Sequence, residues 1–309
     1  MVRLIPPIGL GTWKLEGKTA YKCIRSAIDL GIRHFDCAHI YENEKIIGKA
    51  LNDAIAEKVV TRQELWVTSK LWNNAHLNDD VVPALQRTLN HLGFEYLDLY
   101  LMHWPVAFKP TVHIPKVGSD FLDLKDASIS ATWEGLEKSV HLKLTKRIGV
   151  SNFSISKLEA LLRSADIIPF ANQVESHPYL QQQKLKEFCD RKQIIFAAYS
   201  PLGSGDRPTE MRSVGEPVLL NDETIEAIAE RHNCSPAQIL ISWAMHRNTV
   251  VIFKTSQKDR IKQAMDASTI KLSVNELNAI SALDCNFRYV TGSFWEMENG
   301  PYNRKMIWA

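Results

Sequence analysis

The sequence predicts an α/β fold: a (β/α)8 TIM barrel with long loops at its C-terminal face and a C-terminal tail over the pocket. Three observations carry this. Short apolar runs alternate with longer segments of helical period almost to the end of the chain. The alternation completes eight rounds, as a parallel sheet with helical crossovers requires. It also occupies about 250 residues, the usual extent of such a barrel. No Pro/Gly/Ser linker or composition break interrupts it, so residues 1–309 are expected to form one domain, with the tail from about 284 shaping part of the pocket. A doubly wound open sheet is the competing fold.

The strand-like runs are 8–11, 34–36, 65–70, 97–102, 147–151, 171–175, 194–200 and 250–254. Helix-like segments fall between them at 18–30, 44–57, 79–92, 131–142, 154–164, 182–192 and 222–232, with two more at 236–247 and 259–266. In the first, Ala20, Ile24, Ala27, Ile28 and Leu30 gather on one face while Lys18, Lys22 and Arg25 take the other, and Gly31 can end it. Asn78, Ser154 and Asn221 stand where N-caps belong. Two connections, 104–130 and 201–221, are too long for ordinary loops, and both follow strand C-termini, the face where barrel enzymes carry their chemistry.

Bulk properties exclude several functions. With 45% hydrophobic and 23% charged residues the chain is an ordinary globular protein, and a net charge of +2 provides no field for nucleic acid or membrane. The basic cluster from Lys143 to Arg147 reads as solvated surface. MVRLIPPIGLGTW has no signal-peptide core, and no run approaches the ~20 apolar residues of a membrane span, so a cytoplasmic location is expected. The five cysteines are odd in number, dispersed and free of CxxC pairs, which suits reduced thiols.

Each proposed strand delivers a polar or titratable group to the same rim. In order these are Gly11-Thr12-Trp13, Asp36 with Tyr41, Lys70, His103, Ser151-Asn152, Gln173, Tyr199-Ser200 and Lys254-Thr255-Ser256. Any one of them alone would read as packing or surface. The first four titratable groups make chemical sense together. Tyrosine is a weak acid, with a reference pKa of about 10, and an ammonium such as Lys70 stabilises its phenolate. Asp36 would hold that ammonium, and a neutral His103 could orient a carbonyl. Such a set suits protonating an oxygen as hydride reaches the attached carbon.

Hydride must come from a cofactor. The Rossmann fingerprint is missing, because Lys14 occupies the place of the last Gly in GxGxxG, and there is no P-loop. Nicotinamide could instead stack on Tyr199, its carboxamide held by Ser151, Asn152 and Gln173. The segment KTSQKDRIK (254–262) opens a helix with hydroxyls and cations, a fit for an adenosine 2′-phosphate. A rival reading makes HFDCAHIYENE (34–44) a metal nest built on His34, Cys37 and His39.

These residues resemble the aldo-keto reductase superfamily, in its aldose reductase-like branch. The resemblance rests on GLGTW (9–13), GIRHFDCAHIYENEKIIG (31–48), VTSKLW (67–72), LDLYLMHWP (97–105), IGVSNF (148–153), NQVE (172–175), AYSPLGSGDRP (198–208) and VVIFKTSQKDRI (250–261), in family order. It implies a monomeric (β/α)8 enzyme that reduces aldehydes or ketones with NADPH and without metal, acting on a small carbonyl substrate. Tyr41 would be the general acid, Lys70 and Asp36 its tuning pair, and His103 the orienting group. Gly11, Thr12, Trp13 and Asp36 would border the nicotinamide, with Tyr199 beneath it and Ser151, Asn152 and Gln173 on its amide. Ser200, Leu202 and Ser204 would follow the pyrophosphate, and Lys254, Thr255 and Arg260 the 2′-phosphate. Trp13, Tyr41, Trp72, His103, Trp104 and Phe108, with Trp295 from the tail, would wall the substrate pocket. An NADPH-binding sensor or structural subunit with little turnover is the alternative.

Several departures from the family pattern bear on these roles. Phe253 replaces a proline and could shift the strand end; Gln263-Ala264 replaces an adenine-gripping Glu-Asn; Thr209 replaces a pocket Trp, which points to a wider mouth. Lys143 stands at a helix-ending Gly position, and a floor-plugging N-terminal hairpin is expected to be truncated. Polar groups for sugar substrates, if any, would come from His113, Lys116, Asn299 and Arg304.

Overall fold

The computed structural model describes residues 5–123 and 125–309. Eight strands are present: β1 (Ile8–Gly11), β2 (His34–Asp36), β3 (Trp66–Leu71), β4 (Leu99–Met102), β5 (Ile148–Ser151), β6 (Ala171–Glu175), β7 (Ile195–Tyr199) and β8 (Val250–Phe253). All pair in parallel with their sequence neighbours, and β1 pairs with β8, so the sheet is a closed (β/α)8 barrel. The helices are α1 (Gly17–Asp29), α2 (Glu44–Ala56), α3 (Asn78–Leu92), α4 (Ile129–His141), α5 (Ile155–Leu162), α6 (Gln183–Arg191), α7 (Glu223–Arg231), α8 (Pro236–His246), α9 (Lys258–Asp266), α10 (Val274–Ser281) and α11 (Arg304–Trp308). None is long and apolar enough to cross a membrane among the described residues.

Strands buried on both faces read as continuous apolar runs, which is why they stand out in the sequence. One set of faces packs against the helices, where Val67, Tyr100, Val150, Phe196 and Val251 join the main core. The other fills the barrel interior with Trp66, Leu99, Leu101 and Ala171, and with Ala197, Val250 and Ile252. Alternation puts Trp66, Thr68 and Lys70 of β3 on one face, and His34 and Asp36 of β2 likewise. Thr68 Oγ1 accepts from Trp66 Nε1 (3.1 Å) and lies 3.2 Å from His34 Nε2, so an inner layer of polar and aromatic groups supports Asp36 and Lys70 one step nearer the rim. On the floor side, Arg147 stacks on Trp66 and Phe170, and Ile5 packs beside them. The expectation of a truncated N-terminal hairpin concerns residues 1–4, which lie outside the described residues.

Element ends correct the sequence in places. Ser154 caps α5 as expected, its hydroxyl accepting from Lys157 N. Asn78 is the first residue of α3 instead of its cap, and its amide donates to Ala131 O of α4 (2.9 Å). The cap of α7 is Asp222, whose carboxylate takes the Thr224 and Ile225 amides, not Asn221. Phe253 leaves the strand end in register, opposite Leu10. Gly48 is required by packing: a Cβ there would stand 2.4 Å from Leu92 O, so α2 and α3 touch through their backbones. Lys143 ends α4 at φ 60°, the left-handed conformation in which glycine is the unstrained residue.

Candidate active site

The strand ends open into a cleft of about 700 Å3. Its centre is a charged cluster with almost no solvent exposure. Lys70 Nζ pairs with Asp36 Oδ1 and donates to Cys37 O (2.8 Å), while Gln173 Nε2 donates to Asp36 Oδ2 (2.7 Å). Both carboxylate oxygens of Asp36 are thus engaged, which is what a buried ion pair needs to offset its desolvation. Burial alone would push Lys70 down, but Asp36 and Tyr41 outweigh it and the ammonium is held above its ordinary range.

Tyr41 ends the short 3-10 turn His39–Tyr41 that follows β2 and brings its ring to the cleft, 5.3 Å from Lys70 Nζ. Here one expectation is corrected in magnitude. Lys70 does pull the phenol's pKa down, but burial acts more strongly in the other direction and the net shift is upward. Tyr41 therefore keeps its proton through neutral pH, and Lys70 limits the cost of losing it. His103 lies across the cleft with its ring 6.0 Å from that of Tyr41, at 80°. Burial first, then Lys70, holds His103 well below the usual imidazole range, so it is neutral. Its Nδ1 is buried without a hydrogen-bond partner among the described residues.

A hydrogen-bond chain joins this cluster to the next three strands. Asn152, at φ 65°, donates to His103 O (2.9 Å) and Ser151 Oγ (3.2 Å), and its Oδ1 accepts from Tyr199 Oη (2.7 Å). Ser151 in turn donates to Gln173 O (2.7 Å). The Tyr199 ring is thus fixed by its hydroxyl. Beyond it Ser200, Gly203 and Ser204 adopt left-handed conformations (φ 51°, 86° and 50°), curling the loop along the cleft. Asp206 in that loop accepts from both Lys14 and Lys254 (2.9 Å each), tying it across the cleft to β1 and β8. Burial would raise the Asp206 carboxyl, yet the two ammonium groups bring it down to about 2.

At its far end the cleft meets a second cavity of about 490 Å3, where Lys254, Thr255 and Arg260 border both. Arg260 is exposed and has no ion-pair partner among the described residues. Gln263 and Ala264 line this second cavity, joined by Glu226 and by Asn221, which the sequence marked only as a helix cap and not as a site residue. Loop 201–221 carries Asn221 there, and no motif marks the position.

Nearly all expected residues line the cleft. Two do not. Phe108 is fully buried behind the wall, against Trp72, Phe121 and Trp295 (5.8, 5.3 and 5.2 Å between rings), where it supports the pocket without facing it. Thr12 is fully buried too, and spends its hydroxyl on Asp36 O (3.0 Å). The substrate end is walled by Trp13, Trp72, Trp104 and Trp295, and by Ile40, Ile114, Met211 and Phe294, which sequence reasoning missed because side chains in loops and turns have no period to reveal them. Thr209 is exposed and off the cleft; Met211, two residues on, takes the wall position. The polar candidates for sugar binding also lie outside it: His113 pairs with Glu42 and Arg304 with Glu296.

The comparisons with known proteins agree with this geometry. The Aldo/keto reductase family model matches residues 7–284. The chain belongs to the aldo/keto reductase family. The reductase is 49% identical over 304 residues to an aldo/keto reductase of Synechocystis sp., covering 98% of this chain and 93% of that protein. It is 43% identical over 288 residues to aldo-keto reductase family 1 member A1 of Rattus norvegicus, and 42% identical to that of Homo sapiens, in each case over 93% of this chain and 88% of the relative. Membership makes it an oxidoreductase of carbonyl compounds that uses a nicotinamide cofactor.

Proposed function

We propose that the protein reduces apolar, chiefly aromatic, aldehydes and ketones with NADPH, and that Tyr41 supplies the proton. The observation that carries this is the Asp36–Lys70–Tyr41–His103 cluster beside an aromatic wall, at one end of a cleft whose other end presents Arg260. We read the chain as one catalytic unit, the tail contributing Val290, Phe294 and Trp295 to the pocket.

The residues present fit the cofactor. A flat ring can rest on Tyr199, which Asn152 holds in place. Both donor hydrogens of Asn152 and the hydroxyl hydrogen of Ser151 are already engaged, so these groups and Gln173 offer mainly acceptor oxygens, a match for the amino group of a carboxamide. Lys254 is shared with Asp206, while Arg260 has no ion-pair partner among the described residues and is available to a phosphate. When bound, the reduced nicotinamide supplies hydride to the carbonyl carbon.

The chain's own groups manage the oxygen. Neutral His103 orients it with one N–H, and Tyr41 Oη transfers its proton as negative charge develops there. Lys70 stabilises the phenolate left behind, and Asp36 and Gln173 keep the ammonium from moving away. The four tryptophans exclude water from the carbonyl and discriminate by shape. Because no charged side chain among the described residues lines the substrate end beyond this cluster, sugar phosphates should be poor substrates.

A panel of aromatic aldehydes, ketones, sugars and sugar phosphates, assayed with NADPH and NADH, tests the reading. The expected order of kcat/KM places aromatic aldehydes first, with NADPH preferred. Tight NADPH binding without turnover across the panel would point to a sensor or structural subunit instead.

A further inference from the structure

The rival reading of HFDCAHIYENE as a metal nest fails for two of its three residues. His34 is buried between Pro6 O (3.3 Å) and Thr68 Oγ1, and Cys37 is buried with its thiol pushed far up by desolvation. Its third member, His39, has different companions. It opens the turn that ends in Tyr41; Glu44 is the first residue of α2; and His91 lies in the last turn of α3. The backbone contact between Gly48 and Leu92 draws these two helices together and sets His91 beside Glu44.

His91 Nδ1 stands 3.5 Å and His39 Nδ1 3.8 Å from the same oxygen, Glu44 Oε2, and one ligand atom from each residue lies within 4.8 Å of the others. Ligands of a tetrahedral Zn2+ are separated by roughly 3.3 Å, given bonds of about 2.0–2.1 Å, so both histidines already stand near that spacing from the Glu44 oxygen. Glu44 is positioned from behind: Ser69 Oγ donates to Oε1 (2.7 Å) and Thr88 Oγ1 to Oε2 (3.3 Å), the kind of outer support that orients a metal ligand.

A second observation comes from charge. The Glu44 side chain is 1% exposed, yet no lysine or arginine pairs with it among the described residues; the basic groups beside it there are the two imidazoles. An isolated buried carboxylate is costly, and a bound cation offsets that cost. His39 and His91 remain 28% and 33% exposed, which leaves an entry path and a side open to water.

We propose that His39, Glu44 and His91 bind a divalent transition ion of the Zn2+ class. The site is separate from the reaction: its ion would fix the turn carrying Tyr41 against α3 and take no part in proton transfer. Two imidazoles and one carboxylate favour Zn2+, Co2+ or Ni2+ over Mg2+ or Ca2+, which prefer all-oxygen sets.

The test is a Co2+ titration of the chelator-stripped full-length protein, followed by visible absorption, with Zn2+ in competition. A saturable absorption displaced by Zn2+ is expected. His91→Gln and His39→Gln should each weaken Co2+ binding at least about tenfold. Glu42→Gln, which removes the partner of nearby His113, should leave it unchanged. Circular dichroism checks that the variants are folded, and metal-free His91→Gln should reduce aldehydes at the wild-type rate. No saturable absorption, or binding that survives His91→Gln, would overturn the proposal.

Discussion

The two ends of the cleft are built on opposite principles. At the catalytic end Asp36, Lys70, Gln173, Asn152 and Tyr199 form one chain of contacts from β2 to β7, each group held by at least one other and nearly all of them buried. At the cation end Lys14, Asp206 and Lys254 are between about a quarter and a half exposed, and Arg260 has no ion-pair partner among the described residues. Rigidity is concentrated where a proton must be delivered to one atom. Adjustability is left where a large ligand must enter and leave.

The contrast sets an order of expected effects. Lys70→Met should be the most damaging change, because it strands the Asp36 carboxylate in the barrel. Stability should fall by about 3–5 kcal/mol in chemical denaturation, with activity lost as well. If Lys70→Met folded with wild-type stability, the catalytic end would not be the tightly determined region described.

Buried histidines around the barrel give the next largest effect, as a pH dependence. Burial pushes His34 down to about 4 and His76 down to about 3, both below the unfolded value of about 6.5. The unfolded chain therefore takes up protons first as pH falls. The stability contributed by these neutral rings is complete above pH ~6.5 and is lost progressively toward pH ~4 and below, on the order of 3 kcal/mol for His34 alone. Melting temperature against pH measures this, and His76→Leu should flatten the slope.

At the cation end effects should be smaller and selective. Arg260→Ala should weaken NADPH by about 1.5–3 kcal/mol while sparing NADH, seen in separate Kd titrations. Asp206→Asn, which loosens an exposed clasp, should change stability by less than about 1 kcal/mol and appear mainly as faster release of the cofactor. Equal losses for both cofactors in Arg260→Ala would move the 2′-phosphate elsewhere. Least of all, Lys143→Gly should raise stability by about 1 kcal/mol by relieving a left-handed lysine at the end of α4.

The same contrast explains what could be read before folding. Asp36 closes β2, Lys70 precedes the last residue of β3, Asn152 directly follows β5 and Gln173 lies within β6; all stand on or beside short runs whose C-terminal ends face the rim, and they were legible for that reason. Ile114, Met211, Asn221 and Phe294 sit on long connections, where position depends on tertiary contacts without a local signature. Phe108 and Thr12 were right in neighbourhood and wrong in facing, since alternation says nothing of residues just past a strand end. The three-way meeting of His39, Glu44 and His91 needed the contact between α2 and α3, which no spacing within one segment reveals.

The central claim is that Tyr41 gives the proton from within an otherwise intact site. Single-turnover reduction of an aromatic aldehyde by Tyr41→Phe, with NADPH affinity measured on the same sample, tests it most directly. The rate should fall by about 10²–10⁴ while NADPH binds as in the wild type. A Tyr41→Phe variant that turns over near the wild-type rate with cofactor bound would contradict the account.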